Sequence, residues 1–346
     1  MTSDSILKLK GFGLMFLSSS LMGGIGAFAR YINAPGDFIA FWRSFAGLIA
    51  MTLIFLLSGT LVQKAKKYRL SPAMVLSGIF LGLLSSLYVI GTQYTTLANA
   101  SFLIYTGPVY STILATIFLK EPFKPQMLGS LAAVIAGTLL IVGIVSENGI
   151  SLDLDPKYAF GNMIALLSGV AYGLFLFFSR YRQDVDSNTR SWWNFIFAAT
   201  TILIMVMIRW SGLKYPVRET HNGVPVAKMD SSGNQISLPW NILEMDTRSW
   251  IVLLFAALFT GFGAFYCLTH ASKILLAGEL ATISYQETIM ASFLGFVMFH
   301  EFLTPLQMVG GALIIVGGVS QVYFSTRNAN TKKIVSSTVE TINSSN

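Results

Sequence analysis

Long apolar runs alternate with short polar segments along nearly the whole chain. A helix of about 20 residues crosses the roughly 30 Å hydrocarbon core of a bilayer. Runs of about that length occur at 11–29, 37–57, 72–94, 97–118, 125–144, 158–179, 191–210, 250–269, 277–299 and 304–325. The pattern therefore predicts an all-α membrane protein with ten transmembrane helices.

Composition and charge support a membrane protein. Of the 346 residues, 53% are hydrophobic and only 11% are charged, whereas a soluble domain carries about 25% charged residues. If both termini are cytoplasmic, most lysines and arginines fall in cytoplasmic segments, as the positive-inside rule expects. The net charge of +7 then reflects topology, and no basic face predicts nucleic-acid binding. We expect a multi-pass protein of the cell (cytoplasmic) membrane.

Two phrases repeat along the chain. "KEPFKPQMLG" from Lys120 and "HEFLTPLQMVG" from His300 share E-x-x-x-P and Q-M-x-G, and "FGLMFLSSS" at Phe12 matches "FGNMIALLS" at Phe160. The matches occur in order, which predicts two five-helix repeats. Because five is odd, the second repeat enters the membrane from the opposite side. Inverted repeats of this kind are typical of secondary transporters.

The repeat gives the predicted organisation of the chain. It consists of a cytoplasmic N-terminus at 1–10, a first repeat at 11–146, a second repeat at 158–325 and a cytoplasmic tail at 326–346. A polar segment at 211–249 lengthens the second repeat, and we expect an external, mobile loop without chemistry. The N-terminus also resembles a cleavable signal peptide, but its removal would leave the sixth helix without a repeat partner.

The residues at the fourth helix of each repeat carry a family resemblance. "YTTLANASFLIYTGPVYSTILATIFLKE", "TISYQETIMASFLGFVMFHE" and Arg43 in "FWRSFAG" resemble EamA-type carriers of the drug/metabolite transporter superfamily, closest to ten-helix amino-acid and metabolite exporters. The resemblance covers about 11–325 outside the insertion. Family members tend to show an L-E-P-like triplet and, about thirteen residues later, Gly-Glu. Here Lys120 and His300 stand where glycine is usual.

The resemblance implies a secondary transporter that works by alternating access and exports amino acids or similar small amphipathic metabolites, as a monomer or homodimer. A nucleotide-like, sugar-phosphate or drug-like substrate is the alternative, followed by a channel. An integral-membrane enzyme should show clustered acid, histidine or nucleophile motifs, and none is visible. No phosphate-binding loop predicts ATP use and the three histidines are scattered, so no cofactor or metal is expected.

Two charged residues inside predicted helices are candidates for transport. Glu287 is predicted either to contact a substrate amine or a coupled proton, or to hold helices together as a neutral, hydrogen-bonded acid, because an unpaired carboxylate in lipid is costly. Arg43 can offer a donor fork to a substrate carboxylate, or it can extend to the membrane interface. The sequence leaves both pairs of alternatives open.

Several uncharged polar residues are candidates for lining a cavity. Tyrosines near mid-span need hydroxyl partners, and those placed best by the repeat are Tyr88, Tyr105, Tyr266 and Tyr285. Asn99 and Gln286 are further candidates, although single amides usually bridge helices. Glu121 and Glu301 precede prolines by four residues, and we expect each to cap or face the positive end of the helix that follows it.

Overall fold

The computed structural model describes residues 3–61, 63, 70–120, 125–142, 145–146, 149–150, 156–182, 185–210, 214–221, 224–232, 234–275 and 277–320. Fourteen α-helices lie within these ranges. They are α1 Ser3–Gly23, α2 Ile25–Tyr31, α3 Gly36–Leu57, α4 Pro72–Thr92, α5 Leu97–Ile104, α6 Gly107–Phe118, α7 Pro125–Val142, α8 Pro156–Ser179, α9 Ser187–Trp210, α10 Thr247–Ala256, α11 Ala264–Ala271, α12 Ala277–Ser284, α13 Gln286–Phe299 and α14 Pro305–Ser320.

In the described part of the chain, seven helical stretches are long and apolar enough to cross a membrane: Ile6–Tyr31, Gly36–Leu57, Pro72–Thr92, Leu97–Phe118, Tyr158–Ser179, Asn188–Arg209 and Thr247–Ala271. Two shorter apolar helices lie at Leu128–Ile141 and Pro305–Ser320. A mainly helical membrane protein is therefore confirmed. The count of ten transmembrane helices stays a prediction.

Four of the predicted spans are interrupted rather than continuous. The first is divided at Gly24 into α1 and α2, and the fourth at Tyr105 and Thr106 into α5 and α6. The ninth is divided at Tyr285 into α12 and α13. A π-helical segment, Ala257–Gly263, joins α10 to α11. Interruptions of this kind leave backbone groups without their usual helical partners, and π segments are frequent at functional sites.

Two non-glycine residues in the described ranges have a left-handed backbone conformation. They are Lys120, with a φ of 52°, and His300, with a φ of 54°. Lys120 follows α6 and His300 directly follows α13, so both occupy the position at which a left-handed residue ends a helix. This conformation favours glycine because glycine has no Cβ, which explains why glycine is usual at both positions in the family that the sequence resembles.

The predicted insertion is folded. Its described residues form two antiparallel pairs: β3 Tyr215–Pro216 with β6 Ser237–Leu238, and β4 Arg218–His221 with β5 Val224–Ala227. Another antiparallel pair, β1 Val145–Ser146 with β2 Gly149–Ile150, lies earlier in the chain, between α7 and α8. Val226 and Ala227 are buried, and Ala227 packs with Tyr94 and Phe160. The described residues of the insertion therefore form strands that pack against the bundle, whereas the sequence predicted a loop.

Hydrogen bonds fasten the insertion to helix ends on one side of the bundle, which we call the insertion face. Arg218 Nη2 donates to the carbonyl oxygen of Ile32 at 3.2 Å, and Trp240 Nε1 donates to that of Asn33 at 3.2 Å. Burial raises the pKa of Tyr94 to about 12, so its hydroxyl stays protonated and donates to the carbonyl oxygen of Pro216 at 2.9 Å. These bonds hold the insertion against α2 and α4.

We expect the left-handed conformation of His300 to be measurable as a preference for glycine over alanine. The free energy of unfolding of His300→Gly should be about 1 kcal/mol higher than that of His300→Ala. Both substitutions remove the exposed imidazole, but only alanine keeps a Cβ in the left-handed conformation. Thermal unfolding of the purified protein in detergent measures the difference.

The control is the same pair of substitutions at Val297, an exposed position inside α13. There the order should reverse, because glycine destabilises a regular helix. Equal stability of the two His300 variants would contradict the strain argument.

Candidate substrate site at the helix breaks

Glu287 lies in the first turn of α13, immediately after the break at Tyr285. Its Oε2 atom is 2.9 Å from the hydroxyl oxygen of Tyr105, the residue at the break between α5 and α6. The same hydroxyl lies 2.7 Å from the carbonyl oxygen of Ser284. Since the hydroxyl carries one proton, it can satisfy either the carboxyl or the last carbonyl of α12. The two broken helices are thus joined at their breaks.

Arg43 is buried in α3 and directs its guanidinium into the protein, with only 9% of its surface exposed. Its Nε donates to the carbonyl oxygen of Thr260 at 3.3 Å, and its Nη1 donates to Ser85 Oγ at 3.3 Å. Thr260 belongs to the π segment, where the regular helical hydrogen bonding is altered. Of the two positions that the sequence allowed for Arg43, the structure has the buried one rather than the membrane interface.

The charges of Arg43 and Glu287 interact across the bundle. Among the residues that the structure describes, the positive charge that acts on the Glu287 carboxyl is that of Arg43. The Tyr105 hydroxyl bonds to the same carboxyl, and the Tyr172 ring packs against the Tyr105 ring. Opposite charges attract far more strongly inside a protein than in water. The arrangement therefore places one acid and one base, from α13 and α3, in a shared polar environment.

Glu287 is half-buried although protein surrounds it, whereas Tyr88, Tyr105 and Tyr285 are almost fully buried. Its Oε2 atom bonds to the Tyr105 hydroxyl, so the carboxyl lies between the two broken helices. A membrane protein rarely leaves such a group facing lipid, because the charge is costly there. The geometry fits a carboxyl that faces neighbouring helices rather than lipid.

Aromatic rings form one wall next to this carboxyl. The rings of Tyr105 and Tyr285 have centroids 4.7 Å apart, and those of Tyr105 and Tyr172 are 6.1 Å apart in an edge-to-face arrangement. Close helix packing admits Tyr172, because a Cβ on Gly107 would lie 2.5 Å from its ring. We did not single out Tyr172 from the sequence, since its position depends on α8 packing against α6.

The remaining predicted tyrosine and the two amides have different surroundings. Tyr266 is 44% exposed, and its ring contacts are with Phe262 and His270 on neighbouring turns, so the structure does not bring it to Glu287. Asn99 is buried, and its Nδ2 lies 3.4 Å from Asn162 Oδ1, a contact that bridges α5 and α8. Gln286 is half-buried beside Glu287.

Glu301 corrects one expectation from the sequence. The helix that follows it, α14, is capped by Thr304 and Gln307, whose side chains accept from each other's backbone N–H at 3.2 and 3.0 Å. Glu301 instead accepts from the backbone N–H of Leu97, the first residue of α5, at 2.9 Å and forms an ion pair with Arg30. The prediction was wrong because capping chemistry for α14 was already present in T-P-L-Q. Glu121 lies outside the described residues.

Broken helices that meet around buried charges, inside a multi-pass helical bundle, are typical of membrane transporters. The model of the EamA-like transporter family matches residues 9–143 and 235–320. The chain therefore belongs to the EamA-like transporter family, and the resemblance to EamA-type carriers is confirmed. A transporter of this family has a small-molecule substrate and resides in a lipid bilayer. The match leaves out most of the insertion.

Curated relatives are similar over most of their length. An uncharacterized transporter of Archaeoglobus fulgidus is 23% identical over 309 residues, which cover 89% of this chain and 94% of that protein. The uncharacterized transporter YoaV of Bacillus subtilis is 22% identical over 279 residues, covering 80% and 83%. A chloroplastic WAT1-related protein of Arabidopsis thaliana is 24% identical over 319 residues, covering 86% and 70%.

A solved crystal structure has the same fold. It covers 93% of this chain and 98% of its own chain, with a TM-score of 0.55 and 16% sequence identity. The likeness concerns the fold alone.

Close packing at the aromatic wall predicts the effect of enlarging Gly318. A Cβ there would lie 1.9 Å from the Tyr285 hydroxyl, whose side chain is 3% exposed. Gly318→Ala should therefore lower the free energy of unfolding by about 1–3 kcal/mol through overpacking. Thermal unfolding of the purified protein measures this loss.

Gly129→Ala is the matched control, because that exposed position in α7 has nothing within 4 Å of a new Cβ. It should gain about 0.5–1 kcal/mol, as alanine favours the helix. A Gly318→Ala variant as stable as Gly129→Ala would show that Tyr285 is not held where the structure has it.

Proposed function

We propose that this protein is a secondary transporter of the cell membrane that exports amino acids or similar small amphipathic metabolites by alternating access. The observation that carries the proposal is the placement of two charged residues at irregular helix segments: Arg43 bonds to the π segment, and Glu287, at the break of the ninth predicted span, bonds to Tyr105. Their charges are near enough to interact. One fixed cation and one carboxyl in a shared environment match the two charges of a zwitterion. Sequence similarity to named transporters supports transport itself.

Each charge has a part in substrate binding. The Glu287 carboxyl attracts the substrate ammonium, and the planar guanidinium of Arg43 offers paired donors to the carboxylate. When substrate enters, the carboxylate replaces the Thr260 carbonyl or Ser85 hydroxyl as a partner of Arg43. The bonds at 3.3 Å are long for N–H···O contacts, so exchanging them costs little.

The tyrosines supply the remaining surface. Tyr105, Tyr172 and Tyr285 present ring faces and edges to the apolar part of the substrate, and ring faces also attract the ammonium through cation–π interaction. A dianionic sugar phosphate or nucleotide would need more positive charge than one arginine provides. The zwitterion therefore suits the charge balance around Glu287 better than these alternatives.

The proposed movement rests on inverted repeats. Tyr105 and Tyr285 occupy matching positions in the two predicted repeats, and both lie at helix breaks. Lys120 and His300 match as well, and both are left-handed. Two such coincidences support repeats related by symmetry, in which one half rocks against the other around a site near mid-membrane. With both termini cytoplasmic, the insertion face is external.

Transport by purified protein in liposomes tests the substrate and the two charged residues together. Against a panel of radiolabelled amino acids, the wild type should move at least one, and Glu287→Gln and Arg43→Met should each weaken it by about 10- to 100-fold, because each removes a charge-assisted bond. Tyr266→Phe, at an exposed position away from Glu287, should transport like the wild type. Movement of sugar phosphates or nucleotides in place of amino acids would refute the zwitterion assignment.

Proton coupling forms a separate prediction. If Glu287 carries the coupled proton, transport by the wild type should change with an imposed pH gradient, and transport by Glu287→Gln should not, because an amide neither gains nor loses a proton in this range. The measurement is initial rate with and without the gradient in the same liposomes. Unchanged coupling in the variant would remove Glu287 from the proton pathway while leaving its contact with substrate intact.

A further inference from the structure

A buried ion pair, separate from Arg43 and Glu287, lies on the insertion face. Arg30, near the end of α2, forms an ion pair with Glu301, in the link between α13 and α14, and each side chain is 4% exposed. Leaving either charge unpaired in this environment would be strongly destabilising. Neither residue takes part in the proposed substrate binding, so the presence of two buried charges here needs another explanation.

Both side chains also bind the start of α5. Glu301 Oε2 accepts from the backbone N–H of Leu97 at 2.9 Å. Arg30 donates to the carbonyl oxygens of Thr92 and Thr95 at 3.2 and 2.8 Å, and its guanidinium stacks 4.6 Å from the centroid of the Phe299 ring. The pair therefore fixes the turn that leads from α4 into α5.

The other end of the same short helix lies at the candidate substrate site. Helix α5 spans only Leu97–Ile104, and the next residue, Tyr105, bonds to Glu287. Glu287 and Glu301 flank α13 at its two ends. Two carboxyl groups thus hold α5. Glu301 binds the N–H of its first residue, Leu97, and Glu287 binds Tyr105, which follows its last residue.

Local packing keeps Glu301 in this position. The left-handed turn at His300 directs the chain back towards α5, and the backbone N–H of Glu301 donates to the carbonyl oxygen of Gly295 at 3.1 Å. A Cβ on Gly295 would lie 2.6 Å from Glu301 Oε2. Glycine at this position is what lets the carboxyl reach Leu97.

We infer that Arg30 and Glu301 are positioning residues for transport: they hold α5 at its N-terminal end, so that Tyr105 stays in place to meet Glu287. The inference rests on the proposed function of the Arg43–Glu287 site. Because α5 is two turns long and a helix this short has little stability of its own, the position of Tyr105 depends on how α5 is held. Loss of the pair should loosen Tyr105 and weaken substrate binding.

Hydrogen–deuterium exchange of the full-length protein tests the structural part without any substrate. The backbone of 97–105 should exchange roughly tenfold faster in Glu301→Ala than in the wild type, because Leu97 loses its acceptor. Glu301→Gln keeps an amide oxygen that can accept from Leu97 N–H, and should exchange more slowly than Glu301→Ala. Ser77→Ala, which removes a buried bond to Asn194 between α4 and α9, should leave 97–105 unchanged.

A double variant addresses misfolding. Arg30→Met with Glu301→Leu replaces the buried charges by apolar side chains, which often preserves stability, yet leucine cannot accept from Leu97. Its exchange at 97–105 should match that of Glu301→Ala. Protection at the wild-type level in both variants would overturn the inference, whatever the liposome assay shows.

Transport kinetics test the functional part with a substrate found in the liposome panel. The half-saturation concentration should rise by roughly two- to tenfold in Glu301→Ala and the double variant, whereas Ser77→Ala should keep the wild-type value. A purely structural defect would lower the maximal rate through loss of folded protein and leave half-saturation unchanged, which would also overturn the inference. Suppose that Glu287→Gln transports normally while residues 97–105 still exchange faster in Glu301→Ala. The proposed function is then wrong, but the conclusion that Glu301 holds α5 in place still stands.

Discussion

Inside hydrocarbon, every backbone N–H and C=O must find a partner within the protein. A continuous helix satisfies this requirement alone, but a broken helix does not. Where the helices of this chain break, begin or widen, side chains supply partners. Tyr105 bonds to the carbonyl of Ser284 at a break, Glu301 accepts from the N–H of Leu97 at the start of α5, and Arg43 donates to the carbonyl of Thr260 in the π segment. The polar residues of the bundle are thus placed where the backbone requires them.

This requirement bears on whether Glu287 and Arg43 serve the structure or bind substrate. A polar side chain can bind a neighbouring helix, or it can bind substrate. In the proposed function one bond serves both purposes, because a substrate group would take the place of a backbone or hydroxyl partner of these side chains. A site of this kind stays satisfied in both its empty and occupied states, which keeps burial of the charges tolerable.

The sequence predicts properties that depend on local composition and misses those that depend on tertiary pairing. Apolar length predicts helices, seven of which in the described residues are long enough to cross a membrane. Charge inside an apolar run predicts that Arg43 and Glu287 are enclosed by the bundle, because both signals are visible in one segment. The partner of Glu301 was missed since Arg30 and Leu97 are far away in sequence and only the fold brings them together. Tyr266 was predicted from the repeat, yet helix rotation turns it outwards. The insertion's polar composition predicted a loop, but its described residues form two antiparallel strand pairs, and hydrogen bonds fasten them to the ends of α2 and α4.

The π segment Ala257–Gly263 has a consequence for how this region tolerates changes in length. Adding or removing one residue in a regular α-helix rotates everything beyond it by about 100°, and so destroys the packing of one flank. A wide turn absorbs the additional residue locally, and the helices on either side keep their facing surfaces. Deleting one residue here should therefore leave the packing of α10 and α11 in place and remove the carbonyl that Thr260 presents to Arg43.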